Sequence, residues 1–582
     1  MTTWPRPVPL IGDTTSAEER AGDLRAWQFP AAARDTFYDV VRSRRDIRRY
    51  RPDAVPAEVL ERVLSAAHAA PSVGHSQPWR FIIVRDPGTR DRAALLADKE
   101  RISQASQLDP DSAQRLLDLQ LEGIREAPLG VVVACDRRVP AAGVLGRATF
   151  PDADVWSCAC AIQNLWLAAR AEGLGVGWVT LFEPKDLADL LGLPDGVVTL
   201  GWLCLGWPDE RPPAPGLERV GWSRRAPLSE VVLEERWPTH GPASPPSHLR
   251  SPDPGRVVAA RDQGDALLTT PGSLGLLDRY VDRAVAAGLA DAPEGILLLA
   301  VGHHPVADQG VSAYPASVTE DVLGATRAGT SAAALAARSA GLELVVTDCG
   351  SSTGDLLHAD ALTAAAVSEL VRRGRRIGES VPVGGVVALG EVGIGNTTVA
   401  CALASGLLDI PPGSLVGLGA GADAAMLDRK REVVVGAVER ARLEHGAGWD
   451  EPLRLLQALG GPELCLLAGA VLGAAGRGAV VVLDGLATSV AALLAVRLEP
   501  AASAYLVAGQ RSRERAHDAV LQELGLEPLL QLRFRAGEGV GAALAASLLL
   551  SGARIRRGMA TTSRAAAPRP ATHPRQGSDG AP

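Results

Sequence analysis

Apolar and polar positions along this chain fall into two rhythms. Between 35 and 237, the short apolar runs RFIIV at 80–84, LGVVVAC at 129–135 and GVGWVTLF at 175–182 predict strands. In the same region PAEVLERVLSAAHAA at 56–70 and VWSCACAIQNLWLAARAEG at 155–173 repeat apolar residues at i, i+3 and i+4, which predicts helices. Beyond 257 the strand-like runs GILLLAV at 295–301, LELVVTDC at 342–349 and AVVVLDG at 479–485 alternate with alanine-rich helices. That alternation predicts a parallel, doubly wound sheet.

Length and punctuation divide the chain further. A length of 582 residues is too great for one core and predicts two large domains. Residues 1–34 are Pro-punctuated and read as a loosely attached arm, and 238–256, rich in Pro and Ser, as a linker. This leaves domains at 35–237 and 257–557, and a Pro/Ala/Arg-rich tail at 558–582 that reads as disordered. The class is α/β throughout: an α+β first domain, then a doubly wound parallel second one.

Charge and cysteine usage narrow the function. A net charge of -8 with no basic block argues against nucleic acid as a partner. Seven cysteines form no CxxC pair, no metal site is expected, and Cys158 and Cys160 read as buried free thiols. The N-terminus lacks the pattern of a signal peptide, and no apolar stretch is long enough to span a bilayer, so a cytoplasmic protein without membrane partners is expected.

Chemistry concentrates in two places. RRDIRRYR at 44–51 gathers Arg44, Arg45, Arg48, Arg49 and Arg51 around Asp46, which suits either a solvated helix end or a phosphate, since guanidinium forks bind phosphate bidentately. APSVGHSQPWR at 70–80 follows, with small Ser72 and Gly74 and with Gln77, a donor and acceptor for the edge of a planar heterocycle. In the second half GEVGIGNTT at 390–398 is a glycine turn that suits a phosphate, though no lysine follows it as in a Walker A loop. GLGAGAD at 417–423 reads equally as a packing turn or a ligand loop, and Lys430, one of three lysines, as a surface residue or a phosphate contact. Glu538, between glycines at the start of an apolar helix, reads as a capping acid or as a base kept ionised by the helix terminus.

RRDIR at 44–48, APSVGHSQPWRF from Ala70 and AIQNLWLAARAEGLGVGWVTLF from Ala161 resemble the nitroreductase-type flavoproteins, and within them the 5,6-dimethylbenzimidazole synthases. That resemblance implies reduced FMN and O2 as substrates, and a separate flavin reductase to supply the former. It implies that Arg44, Arg45 and Arg48 hold the FMN phosphate and that Pro71, Ser72, Gln77 and Trp79 line the flavin. Asp46 would take part in the fragmentation, and Thr180 stands where the family commonly has Ser.

TPGSLGLLD at 270–278, DQGVSAYP at 308–315, GEVGIGNTT, DRKREVV, VVLDGLATSVAALLA at 481–495 and LEPLLQLRFRAGEGVGAALA at 526–545 resemble the nicotinate-nucleotide–dimethylbenzimidazole phosphoribosyltransferases. By that match Glu538 is the base and Glu391 the second acid. Gly393, Asn396, Thr397 and Lys430 surround the phosphate of nicotinate mononucleotide. His304 takes the place of a family histidine, and Tyr314 stands in the benzimidazole pocket where a small polar residue often sits. Pro305 and Leu418 also depart from the family pattern. Together the two resemblances imply a homodimeric, bifunctional enzyme of cobamide lower-ligand synthesis. The alternatives are an FMN-dependent NAD(P)H nitroreductase fused to the transferase, or a second half that binds base or nucleotide without turnover.

Overall fold

The computed structural model describes residues 8, 13, 15–118, 123–235, 237, 248–417 and 424–562. The chain divides into two units, one formed by Trp27–His240 and the other by Met1–Ala26 together with Gly241–Pro582.

In the first unit the strands β1 (Trp79–Val84), β2 (Leu129–Asp136), β3 (Gly175–Val179) and β4 (Val197–Gly206) form an antiparallel sheet in the order β1-β2-β4-β3. Alternation along β2 sets its two faces. Val131, Val133 and Cys135 join Ile162 and Leu165 of a helix in one core, while Val132 joins Trp202 and Ile47 in another. The helices that matter for the site are α1 (Ala31–Ser43), α2 (Ala57–His68) and α3 (Ala153–Ala171). Two expectations change. β3 stops at Val179, short of 182, and of the two thiols on α3 Cys158 is buried whereas Cys160 is exposed. Two residues along a helix turn a side chain by about 200°, so both thiols could not face the core.

In the second unit β5 (Gly295–His303), β6 (Glu343–Ser351), β7 (Val386–Val392), β8 (Val480–Leu483) and β9 (Leu506–Ala508) are all parallel. Their order is β6-β5-β7-β8-β9. The second strand in sequence lies on one side of the first and the rest on the other, as expected of a doubly wound sheet. The chain reverses direction across the sheet at β5, and that reversal leaves a crevice beyond the carboxyl ends of β5 and β7. Around the sheet lie α4 (Pro254–Asp265), α5 (Ala332–Ala340), α6 (Ala364–Ser380), α7 (Asn396–Leu408), α8 (Ala424–His445), α9 (Pro462–Gly476), α10 (Leu486–Leu498) and α11 (Val540–Gly558).

The N-terminal arm is not loose throughout. A short helix, Ala17–Gly22, is capped by Ser16, and the Ala17 amide donates to Asp262 on α4 at 3.0 Å. The linker segment 238–247, the turn residues 418–423 with Leu418, and the tail from 563 lie outside the described residues. No described helix is long and apolar enough to cross a membrane.

Candidate active sites

The arginine run leaves α1 and lies along β3. The Ile47 amide donates to the Val176 carbonyl at 3.0 Å, and Asp46 bridges to Val176. Gly175 and Gly177 make that approach possible, since a Cβ at 177 would lie 2.4 Å from the Ile47 carbonyl oxygen. Asp46 accepts the Trp178 amide at 3.2 Å and the Arg48 guanidinium at 2.5 Å. Desolvation raises its carboxyl above the usual value while Arg48 and the Trp178 amide oppose the shift. With 43% of the side chain still exposed, solvent screens these effects.

The neighbouring arginines divide their work. Arg44 stacks 4.5 Å over the Trp166 ring, and burial lowers its pKa. Arg45 donates to the carbonyls of Arg42 and Arg44 at 2.7 and 2.8 Å, and borders a groove of about 870 Å³ with Ile47, Trp166, Arg170, Glu210 and Arg211. Arg170 and Arg211 bring two further guanidiniums to this groove that the sequence motifs did not single out. The lining suits a phosphate attached to an apolar body.

The second motif lies elsewhere. Ser72 accepts the Gln77 amide at 3.0 Å, and Gln77 adopts a left-handed φ of 47° with its side chain 3.1 Å from the His75 ring. Pro71 is exposed, as is Thr180 just past β3. Trp79, expected against the flavin, is instead a core residue, 3% exposed with its indole N–H donating to His68. α3 serves as a ruler between the motifs: Ser157 accepts the Val73 amide, while Trp166 donates to the Arg45 carbonyl. Those two positions on a helix are ~14 Å apart. One copy of the chain therefore does not gather Gln77 and Asp46 into one pocket; β1 and β3 are opposite edges of the sheet.

In the second unit the acids converge. Glu391 stands near the end of β7 and accepts a hydrogen bond from the Asn396 side-chain amide. Gly395, with φ at 99°, closes the turn in a left-handed conformation and starts α7. Thr397 in the first turn of α7 accepts from Lys430 Nζ at 2.9 Å, and Lys430 is 2% exposed. Lys430 is thus a buried partner of the turn, not a surface residue.

Glu538 reaches this place from the other end of the domain. Gly390 is backed directly onto it: a Cβ at 390 would lie 2.7 Å from the Glu538 carbonyl oxygen. Asp484, after β8, accepts from the Gly539 and Ala542 amides at 3.2 and 3.1 Å and from Gln510 at 3.0 Å, which fixes the start of α11 beside β7. Glu538 itself has a left-handed φ of 58°, a conformation uncommon for a residue other than glycine. Its carboxylate faces the Ala333 amide of α5 at 3.4 Å.

Crowded carboxylates shift one another. Burial, then Glu463 and Asp484, push Glu391 up to about 8, against the pull of Asn396. Burial also raises Asp484 to about 6. Glu538 is raised too, by burial, the opposite of the lowering that a helix terminus would produce. The Ala333 amide only partly offsets that loss of water. His304 follows β5 and is buried near the same turn, whereas Tyr314 is 52% exposed on a loop. Asp360, Glu444 and His445 also cluster, and Arg440 pairs with both carboxylates, 3.0 Å from Asp360 and bonded to Glu444.

The phosphoribosyltransferase family model matches residues 249–567, and the nitroreductase family model matches 41–207. A nicotinate-nucleotide–dimethylbenzimidazole phosphoribosyltransferase of Azotobacter vinelandii is 41% identical over 328 residues, 51% of this chain and 91% of that protein. A 5,6-dimethylbenzimidazole synthase of Rhodospirillum rubrum is 43% identical over 201 residues, 34% of this chain and 94% of that protein. The chain belongs to both families, one per unit. A solved phosphoribosyltransferase of the same name from Thermus thermophilus is 34% identical, covers 53% of this chain and 97% of its own, and has a TM-score of 0.48.

Beside Glu391 the phosphoribosyltransferase unit holds two buried acids that motif reading did not pick out. Asp484 sits inside an otherwise apolar run, and only its position after a buried strand marks it. Glu463 lies in PELC, with no local signal at all. In the nitroreductase unit Arg44, Arg45, Asp46 and Arg48 lie on one short segment beside β3, and Ser72 and Gln77 lie apart from it.

Proposed function

We propose that the chain makes and then activates the lower-ligand base of a cobamide. The nitroreductase unit would break reduced FMN apart with O2 to release 5,6-dimethylbenzimidazole. The phosphoribosyltransferase unit would then transfer phosphoribose to that base from nicotinate mononucleotide, giving α-ribazole 5′-phosphate and nicotinate. The observation that carries the second reaction is the convergence of Glu538 and Glu391, from distant segments, at the sheet's switch point beside a glycine turn.

In this reading the bond from C1′ to the nicotinate nitrogen breaks and a bond from C1′ to a benzimidazole nitrogen forms. Glu538 takes the proton lost by the other benzimidazole nitrogen. Burial raises its basicity, which suits a base that must accept a proton near neutrality. Glu391 faces the sugar side, and the turn at 393–397 with Lys430 receives the phosphate, supported by the helix terminus. His304 backs that turn, and Tyr314 borders the base from an exposed loop.

In the nitroreductase unit, FMN is a substrate. The groove beside Arg45, Arg170 and Arg211 suits its phosphate, with Arg44 and Arg48 close by. Asp46, desolvated and held by Arg48 and Trp178, is placed to move a proton during fragmentation. Pro71, Ser72 and Gln77 would meet the ring from a second copy of the chain, which makes the working form a homodimer. Exposed Phe37, Tyr38 and Val41 on α1 support such an interface.

The test is product analysis by mass spectrometry on the full chain, given anaerobically reduced FMN and nicotinate mononucleotide and then oxygen. Ribazole phosphate is expected. Intact oxidised FMN as the sole flavin product would replace the first half of this reading with a nitroreductase that retains its flavin. Free base without ribazole phosphate would reduce the second half to a binding module.

A further inference from the structure

We propose that Glu463 is a positioning residue for nucleotide binding, fixing the His304 ring against the glycine turn at 393–395. The proposal deepens, and rests on, the reading of this unit as a nicotinate mononucleotide phosphoribosyltransferase. Glu463 lies in the first turn of α9 and is fully buried; His304 follows β5 and is 5% exposed. His304 Nε2 stands 3.1 Å from Glu463 Oε1. Neither ring nitrogen and neither carboxylate oxygen makes a hydrogen bond of ordinary geometry among the described residues, so the approach is an ion-pair-distance contact. A carboxylate removed from water is costly unless a polar partner faces it. Each group is therefore the other's one ion-pair-distance contact among the described residues, and the glycines around them keep the two face to face.

The space for this pair is built by glycines from three separate segments. A Cβ on Gly302 of β5 would collide with the Glu463 carboxylate. One on Gly393 would lie 2.9 Å from His304 Nε2, and one on Gly461, just before α9, 2.6 Å from His304 Cε1. A further Cβ on Gly395 would lie 3.4 Å from His304 Cβ. The imidazole thus packs against the backbone of the turn itself.

That turn is continuous with the site. The Gly393 carbonyl accepts the Asn396 amide at 3.1 Å, Asn396 bonds Glu391, and Thr397 bonds Lys430. A rotated or displaced imidazole shifts the turn, and with it the groups that receive the phosphate. Glu463 acts through His304 and touches no substrate.

Steady-state kinetics of the full chain, with nicotinate mononucleotide and 5,6-dimethylbenzimidazole supplied, tests this. Glu463→Gln is expected to raise the KM for the nucleotide about tenfold while the KM for the base stays within about twofold of the parent; kcat, which also feels the weaker push on Glu391, is expected to change less than the nucleotide KM. Glu463→Asp, which keeps the charge, is expected to recover part of the loss. Combining Glu463→Gln with His304→Asn is expected to cost no more than the worse single change, because both act through one contact. A folded Glu463→Gln protein with an unchanged nucleotide KM would overturn the proposal. So would a variant in which kcat, both KM values and the melting temperature move together without recovery by Glu463→Asp. Should Glu463→Gln fail to fold, His304→Asn decides by the same nucleotide KM, raised in support or unchanged against. A parent chain that forms no ribazole phosphate would overturn the underlying reading; an active parent with an indifferent Glu463 overturns this proposal alone.

Discussion

Gly390 has no side chain where the backbone of Glu538 passes, and a Cβ there would lie 2.7 Å from the Glu538 carbonyl oxygen and 2.8 Å from its carbonyl carbon. The end of β7 and the entry to α11 are thereby locked together, and the position of Glu538 depends on the absence of a single methyl group. Gly390→Ala is expected to displace Glu538 and lower kcat for ribazole phosphate formation by ~10²-fold, since misplacement of about 1 Å can cost that much. Turnover within about threefold of the parent would show that Glu538 tolerates the shift.

Removing the Glu538 carboxylate, the proposed base, separates the two halves. Glu538→Gln is expected to lower ribazole phosphate formation by ~10²- to 10⁴-fold and leave formation of free 5,6-dimethylbenzimidazole unchanged. Burial raises the Glu538 carboxyl, so the acid limb of kcat in the parent should lie above the ordinary glutamate value of 4.5. A profile flat down to that value would argue against Glu538 as the group that titrates.

Asp46→Asn tests the first half in the same way. Flavin fragmentation is expected to fall ~10²-fold or more, with transfer to supplied base unaffected. Binding of FMN, followed by fluorescence, should persist, because the arginine groove is intact. Fragmentation at the parent rate would leave Asp46 a structural partner of Arg48.

Glu391 governs the stability of the ligand-free second unit. Its folded-state value of about 8, against an ordinary 4.5, means the folded protein holds that proton more tightly than the unfolded chain. Stability should therefore decline as pH rises from about 4.5 to about 8 and level off above it. Glu391→Gln is expected to flatten that decline and gain ~1–3 kcal/mol at the upper end, measured by denaturant unfolding across the window. An unchanged slope would place the proton elsewhere among the buried acids.

The sequence was most readable where one segment carries both the pattern and its purpose. RRDIR, the glycine turn at 393–395 and Glu538 stand where their neighbours predict. Strands β5 and β8 read directly because a parallel strand buried on both faces is a continuous apolar run, and the edge strand β6 reads from its short Leu-Val-Val stretch. β4 is interrupted by Gly201, β9 has three residues, and β7 runs straight into the glycine turn, so each lacks that signal. Charge state was less readable than position. Glu538 looked set to be ionised by a helix terminus, yet burial dominates, and burial is a property of the fold around it. Glu463 and Asp484 matter only through what other segments bring to them. Trp79 carried a site-like motif into the core because β1 turns that residue inward.

The bond from Ala17 to Asp262 bears on how the gene can be divided. The boundary in space is not the boundary in sequence, since Met1–Ala26 belongs with the unit that begins again at Gly241. A transferase expressed alone from the linker onward would lack a piece of its own body, the capped helix that lies on α4. The arm before the first unit therefore packs with the second, although the family match of that second unit is the continuous stretch 249–567.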